Sequence, residues 1–168
     1  MKSFHSIDGS IVAPQGFLAA GMFCDVKRLG TGKGSNKGKK RDLAVIVSEV
    51  PAKAAGMFTT NQICAAPVKL CVDHITDGNA QAVVINSGNA NACTGPRGLK
   101  DAHEMAALIA DELLLQPTDV LVGSTGRIGL PLPMPNIRAG IREIIKELDG
   151  TPSAAHHAAE AIMTSDTR

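Results

Sequence analysis

The stretch LKDAHEMAALIADELLLQPTDVLVGSTG, residues 99–126, decides the fold. Its apolar side chains recur at helical spacing over Leu99–Leu115, and charged residues occupy the other faces, which predicts an amphipathic helix. Pro117 follows and stops that helix. The short apolar run Val120–Gly123 then predicts a buried strand that leads into a turn at residues 124–126.

Outward from this helix and strand, the rest of the chain combines further strands with two more helices. Short apolar or β-branched segments bounded by turn residues predict strands; these are Met22–Val26, Leu43–Val50, Met57–Thr60, Ala66–Val72 and Ala82–Asn86. Two later segments carry helix start and stop signals; they are Pro135–Leu148 and Ser153–Met163, with Ser153 as the candidate cap. We therefore predict an α/β fold, a mixed sheet with covering helices, in a single domain over residues 1–168.

The bulk composition argues against several classes of function. Seventeen basic and sixteen acidic residues give a formal charge of +1, and aromatic residues make up 2%, so nothing favours nucleic acid as a partner. The sequence shows neither a secretory signal nor an apolar run of ~20 residues, which predicts a cytoplasmic protein with no membrane partner. The four cysteines form no C-x-x-C pair, so we expect reduced, mostly buried thiols and no metal.

A basic, glycine-rich segment occupies residues 27–41. It has no apolar period, so we predict a solvated surface loop. The alternative is a phosphate-binding loop at residues 30–35, GTGKGS, but the spacing of that motif is not met.

Two segments next to predicted strands could carry chemistry, and the first is residues 123–129, which hold three glycines and two hydroxyls. Glycine permits close backbone approach, so such a turn can aim N–H groups and a hydroxyl at one point, as in an oxyanion hole. A tight turn that satisfies only its own backbone explains the same composition. Both interpretations stay open at this point.

The second segment, residues 86–95, concentrates three Asn, two hydroxyl residues and Cys93. Binding residues often lie in such loops, although Asx turns and left-handed backbone explain the composition structurally. No conventional nucleophile motif is present. His156 and His157 are adjacent on a predicted helix and face different directions, so we interpret them as surface histidines. We interpret Cys93 as a buried structural thiol.

Several of these segments, taken in order, match a known pattern. They are VAPQGF at 12–17, DLAVIVS at 42–48, AGMFTTN at 55–61, AAPV at 65–68, VINSGNANACTG at 84–95, STGRIGLPLPM at 124–134 and AIMTSDT at 161–167. Together they resemble the ornithine acetyltransferases of arginine biosynthesis, also called bifunctional glutamate N-acetyltransferase and amino-acid acetyltransferase, the ArgJ family. The resemblance covers most of the chain and implies the α-chain part of a DmpA/ArgJ-like N-terminal-nucleophile fold.

The resemblance implies how such a protein works. A precursor cleaves itself before a threonine, and the new N-terminal Thr of the β chain is the nucleophile. It takes the acetyl group from N-acetylornithine and passes it to glutamate; bifunctional members also use acetyl-CoA, and no cofactor is implied. Thr125, through its hydroxyl, and Gly126, through its N–H, match the oxyanion-hole pair, and Thr164 matches a substrate-binding threonine. The implied partner is the β chain, in an α2β2 assembly.

The chain departs from the family pattern in two places. The pattern continues past Arg168 to the cleavage site, so that stretch is not represented, and residues 27–41 are longer and more basic than we expect. Two alternatives accompany the acetyltransferase hypothesis. A related self-processing aminopeptidase would use the same nucleophile and oxyanion hole, and a non-catalytic amino-acid-binding module would share only the fold.

Overall fold

The computed structural model describes residues 4–27 and 40–164. Within them one sheet has the strand order β1-β2-β3-β4. Its strands are β1, Phe17–Met22; β2, Leu43–Lys53; β3, Asn79–Asn89; and β4, Val120–Arg127. The pairs β1-β2 and β2-β3 are antiparallel, whereas β3 and β4 are parallel. The predicted mixed α/β class is confirmed.

The helices that bear on the site are α1, Ala66–His74; α2, Gly95–Leu113; α3, Met134–Ile144; and α4, Pro152–Ile162. Short 3-10 segments lie at Ser10–Val12, Pro117–Asp119 and Ile145–Glu147. Two parallel strands cannot be joined by a tight turn and need a crossover connection. Helix α2 provides that crossover between β3 and β4.

One side of the sheet, which we call the covered face, packs against α1, α2 and α3. The buried cluster there includes Leu43, Val45, Leu70, Val84, Met105, Ile109, Val120, Val122, Ile137 and Ile141. Burying an aliphatic side chain of this size contributes roughly 1.5–3 kcal/mol relative to leaving it exposed. The strand valines and helix isoleucines are therefore the main source of stability.

The opposite side, which we call the open face, is covered only in part. Helix α4 lies mainly against β1 and β2, and its contact is made of small side chains: Ala19, Ala44, Ala155, Ala158 and Ala161. On β3 and β4, the open-face side chains Val83, Ile85 and Leu121 stay half-buried. The carboxyl ends of the parallel strands thus lie beside a sheet surface that α4 does not cover.

Two predicted strands are absent from the structure. Ala66–Val72 forms most of α1, whose buried residues Ala66, Pro67, Leu70, Cys71 and His74 recur at helical spacing rather than alternating. Met57–Thr60 is irregular and exposed. Its residues are not buried, so the packing that normally stabilises strand residues of this type is missing.

All four strands also differ from the prediction in their bounds; β3, for instance, is Asn79–Asn89 rather than Ala82–Asn86. β1 is Phe17–Met22 rather than Met22–Val26, and it pairs with β2 over its whole length. β2 continues past Pro51, because a register shift between Val47 and Ala52 places Pro51 in a bulge where no ladder hydrogen bond is required. β4 continues through residues 124–126 to Arg127.

The helix predictions hold apart from details. α2 and α3 confirm Leu99–Leu115 and Pro135–Leu148, with α2 starting four residues earlier and α3 ending in a 3-10 turn. Ser153 is not the cap of α4. Thr151 caps it instead, since its hydroxyl accepts a hydrogen bond from the N–H of Ala154 at 3.3 Å. The loop predicted at residues 27–41 lies mostly outside the described residues.

Candidate functional site

The two unusual polar segments of the sequence lie side by side. β3 and β4 pair in parallel with Asn86 opposite Ser124, Ser87 opposite Thr125 and Gly88 opposite Gly126. The predicted turn at residues 124–126 is therefore wrong, because its backbone joins a strand ladder instead of folding back on itself. The pairing continues past the strands, where the Ala90 N–H donates to the Arg127 carbonyl at 2.8 Å.

Thr125 is on the open face of β4. The side chain is half-buried, and no hydrogen bond in the described part of the chain involves its hydroxyl. It lines a cavity of about 470 Å³ together with Phe58, Val83, Ile85, Leu121 and Ile162. A hydroxyl group thus faces an otherwise largely apolar cavity at the end of two parallel strands.

Gly126 has a backbone that only glycine fits. Its φ of +132° is one that L side chains rarely adopt, and an added Cβ would lie 2.4 Å from the Gly88 carbonyl carbon and 2.6 Å from the Asn89 nitrogen. Because those neighbours are backbone atoms, no side-chain rotation can relieve the clash. The absence of a side chain at residue 126 is what lets β4 approach β3 at this point.

A buried amide holds the two strand ends together on the covered face. Asn86 is fully buried; its Oδ1 accepts a hydrogen bond from the Ser124 hydroxyl at 2.6 Å, and its Nδ2 donates to the Asn89 carbonyl at 2.8 Å. Asn89 in turn donates through Nδ2 to the carbonyls of Leu130 and Pro131, at 3.1 and 3.0 Å. The segment that follows β4 is therefore fixed to the end of β3.

The open face carries a second link, from β3 to the end of α4. The Ser87 hydroxyl, which is fully buried, donates a hydrogen bond to the Ala161 carbonyl. Ile162, the last residue of α4, lines the same cavity as Thr125. Thr164 follows two residues later and is exposed. The structure thus brings the predicted segments 124–126 and 161–164 to the same side of the sheet.

The asparagines of residues 86–95 serve the fold, as their composition favoured. Asn91 is fully buried, with φ +46°; its Nδ2 donates to the Gly98 carbonyl at 2.8 Å, and its Oδ1 accepts from the Thr94 hydroxyl at 2.7 Å. The interpretation of Cys93 as a buried thiol was wrong, because its thiol is exposed. Cys93 has a left-handed backbone, φ +56°, and lies at the surface just before α2. Cys93, Cys64 and Lys69 line a second cavity of about 480 Å³.

The remaining cysteines and histidines divide between core and surface. Cys24 and Cys71 are buried, and burial raises the pKa of both thiols, with the Asp42 carboxylate adding to the effect at Cys24. His156 is exposed, as predicted, whereas His157 is half-buried. His74, which sequence reasoning missed, is buried and donates from Nδ1 to the Val120 carbonyl at 2.8 Å.

Two acidic groups on α2, away from this site, have shifted pKa values. Burial raises the pKa of Asp101, whereas a hydrogen bond from Arg138 lowers the pKa of Glu104. Across residues 4–27 and 40–164, no three metal-ligating side chains cluster. A search of the same residues for a helix long and apolar enough to cross a membrane finds none.

The chain is of the class of open-sheet α/β proteins with a cavity beside the carboxyl ends of parallel strands, where such sheets commonly bind ligands. Within that class the chain belongs to the ArgJ family, whose model matches residues 27–168. That match covers most of the predicted elements and both polar segments.

Named relatives agree with this assignment. The arginine biosynthesis bifunctional protein ArgJ of Symbiobacterium thermophilum is 50% identical over 159 residues, which are 95% of this chain and 37% of the relative. The protein of the same name from Bacillus anthracis is 52% identical over 162 residues, covering 95% and 36%. The chain therefore spans little more than a third of the length of these relatives.

Two crystal structures share the fold. The arginine biosynthesis bifunctional protein ArgJ of Bacillus halodurans superposes with a TM-score of 0.84 at 42% identity, covering 94% of this chain and 77% of that one. Ornithine acetyltransferase of Mycobacterium tuberculosis, solved with ornithine, gives a TM-score of 0.86 at 39% identity, covering 96% and 81%. At 42% and 39% identity, the two structures resemble this chain in sequence as well as in fold.

Proposed function

We propose that this chain is the α part of a glutamate N-acetyltransferase that moves the acetyl group of N-acetylornithine to glutamate in arginine biosynthesis. The observation that carries the proposal is the paired end of β3 and β4. It places the Thr125 hydroxyl in a cavity and brings the Gly126 backbone to the strand edge. Membership in the ArgJ family and the names of its relatives support the substrate class.

Thr125 and Gly126 would act together as an oxyanion hole. β4 is the edge strand, and the hydrogen bond from Ala90 N–H to the Arg127 carbonyl directs the backbone polar groups of residue 127 toward β3. Because these directions alternate along a strand, the N–H of Gly126 faces outward. A hydroxyl and an outward N–H on neighbouring residues can both donate to one developing oxyanion, each contributing roughly 3 kcal/mol to the transition state.

The nucleophile in this proposal is the N-terminal Thr of a separate β chain, formed when the precursor cleaves itself. Its own α-amine accepts the hydroxyl proton as the oxygen attacks the acetyl carbonyl. Ornithine leaves with a proton, and glutamate then attacks the acyl-enzyme through its amine. Thr164 contributes a hydroxyl to substrate binding. The reaction needs no cofactor, and acetyl-CoA would serve as a second acetyl donor in a bifunctional enzyme.

The shape of the cavity supports a small aliphatic substrate. Its volume of about 470 Å³ suits a ligand of amino-acid size. Val83, Ile85, Leu121 and Ile162 give it apolar walls, which fit an acetyl methyl group and a short alkyl chain. We propose that the β chain covers the remaining open face and closes this cavity in a cytoplasmic α2β2 assembly, with single-domain α chains.

The experiment is an assay of acetyl transfer by the full-length protein with Thr125 replaced by Val. We expect a fall in kcat of roughly 10²–10³-fold, the size found when one oxyanion donor is removed. Thr76→Val is the matched control: this exposed threonine donates to the Asp73 carbonyl and does not itself line the cavity, although its neighbour Ile75 does, so its loss should leave kcat unchanged. Mass spectrometry of the wild-type protein should show a second chain that begins with Thr.

Other outcomes would favour the alternatives. Amide cleavage in place of transfer to glutamate would indicate a self-processing aminopeptidase. Full activity of the Thr125→Val protein would contradict the oxyanion role and favour a non-catalytic contribution from this chain.

A further inference from the structure

We infer that Asn86 and Ser87 are positioning residues, which hold the two halves of the site from opposite sides of the sheet. The inference rests on the proposed function, because it assigns a role in placing Thr125, Gly126 and Thr164. Consecutive strand residues point to opposite faces. Asn86 therefore acts on the covered face beneath β4, and Ser87 acts on the open face beside Thr125.

Asn86 fixes the carboxyl end of β4. It is fully buried, and it joins the Ser124 hydroxyl at 2.6 Å to the Asn89 carbonyl at 2.8 Å. Ser124 immediately precedes Thr125. Without the Ser124 hydroxyl, Asn86 Oδ1 loses the hydrogen bond that ties this residue of β4 to the core, and the edge strand can twist.

Ser87 fixes the other half. Its N–H donates to the Asp42 carbonyl at 2.9 Å, and its buried hydroxyl donates to the Ala161 carbonyl near the end of α4. Three residues later the chain reaches Thr164. Ser87 on β3 therefore holds the end of α4, while the preceding residue of the same strand, Asn86, holds β4 next to the oxyanion pair.

Small displacements matter at such a site. Catalytic groups must stay within about 0.5 Å of their working positions, and a misplacement of about 1 Å can lower the rate 10²-fold. Hydrogen bonds from one rigid central strand to both halves satisfy that requirement.

The chain contains a matched control for Asn86. Asn91 is also fully buried, also accepts from a hydroxyl, that of Thr94 at 2.7 Å, and also donates to a backbone carbonyl, that of Gly98 at 2.8 Å. It holds the start of α2 rather than the end of β4. Removing the hydroxyl from Ser124 or from Thr94 therefore breaks the same kind of bond at different places.

The test compares Ser124→Ala with Thr94→Val in the full-length enzyme. We expect Ser124→Ala to lower kcat roughly 10- to 100-fold with little change in KM, and Ser124→Thr, which keeps the hydroxyl, to restore it. Thr94→Val should lose a similar few degrees of Tm but keep kcat. Ser87→Ala should mainly raise KM, because it releases the end of α4 and with it Thr164.

Hydrogen exchange followed by mass spectrometry gives a second measurement that does not depend on the reaction. Ser124→Ala should speed exchange in the peptide covering residues 121–129, and Thr94→Val should not. If wild-type protein transfers no acetyl group, the proposed function fails, and the exchange data still decide whether Asn86 holds β4. Equal losses of kcat in Ser124→Ala and Thr94→Val, or no faster exchange in residues 121–129, would overturn the inference.

Discussion

The two faces of one sheet have different uses in this molecule. On the covered face, Val84 and Val122 are at most 4% exposed beneath α1, α2 and α3. On the open face, Val83 and Leu121, each one residue away in sequence, stay half-buried beside a cavity. Similar aliphatic residues thus contribute stability on one side and line a binding surface on the other.

The difference shows that residue type alone does not determine the role of a residue along these strands. Its role depends on which face of the sheet its side chain points to, and the face alternates from one residue to the next. Ser124 bonds Asn86 on the covered face, while Thr125 points to the open face, although both residues border the cavity. Stability and chemistry can then be changed separately by substitutions one residue apart. Substitutions on the two faces test this separation directly.

Leucine-to-alanine substitutions on the two faces should differ most. Leu43 is fully buried on the covered face, so Leu43→Ala should lower the free energy of unfolding by about 2–5 kcal/mol. Leu121→Ala on the half-buried open face should cost less than half as much, because less apolar area and a smaller void are involved. Urea unfolding of the 168-residue chain measures both. Equal losses would show that the open face is packed as tightly as the covered one.

The second prediction concerns α4, the helix described on the open face. Thr151→Ala removes the cap bond to Ala154 and should cost about 1 kcal/mol. Ser153→Ala is the matched control, since Ser153 is exposed and makes no cap bond. Thermal unfolding should therefore separate the two variants. A larger loss for Ser153→Ala would mean that the cap lies at Ser153 after all.

We expect the smallest effect to be a change in the stability of the fold with pH, caused by an acidic residue on α2 in the helix layer of the covered face. Burial raises the pKa of Asp101 in the folded state, so the unfolded chain loses this proton first as the pH rises. Stability from this group is therefore complete in acid and falls as the pH passes from the unfolded to the folded pKa. Asp101→Asn should make the chain more stable than wild type at neutral pH but not in acid.

Glu104 provides the control of opposite sign. Its hydrogen bond from Arg138 lowers its pKa, so its contribution is present at neutral pH and is lost as the pH falls through that lowered value. Glu104→Gln should destabilise the chain at neutral pH, with the difference vanishing in acid. Unfolding curves at several pH values would show whether the two variants diverge in opposite directions.

Much of the covered face could be predicted from the sequence. Hydrophobic spacing located α2 and α3, and the β-branched run of β2 marked a buried strand. These elements are determined by local patterns of burial. α1 was mistaken for a strand because Val68 and Val72 favour β structure locally, whereas the helical spacing of its buried residues reflects packing against other elements.

The site could be predicted only in part. Thr125 and Gly126 stand out by composition and by family resemblance, and they remain predictions as catalytic residues. Their setting in a strand depends on pairing with residues 86–89, which lie 38 residues earlier. A hint was available, since both segments place small polar residues and glycine after a strand. Local sequence does not reveal long-range register, so Asn86 and Ser87 were missed as partners.

The parallel register between β3 and β4 also acts as a reading frame. A slip of one residue would reverse the faces of β4, so Thr125 would point to the covered face and Ser124 to the open face. Since both carry hydroxyls, the misaligned strand would retain nearly the same chemistry in the wrong direction. Gly126 disfavours this misalignment. If β4 shifted by one position, a residue with a side chain would take the place of Gly126 and would clash with the backbone of Gly88. A one-residue insertion or deletion between α2 and β4 should therefore be absorbed by the connecting segment, because the shifted strand would bring a side chain against the backbone of Gly88.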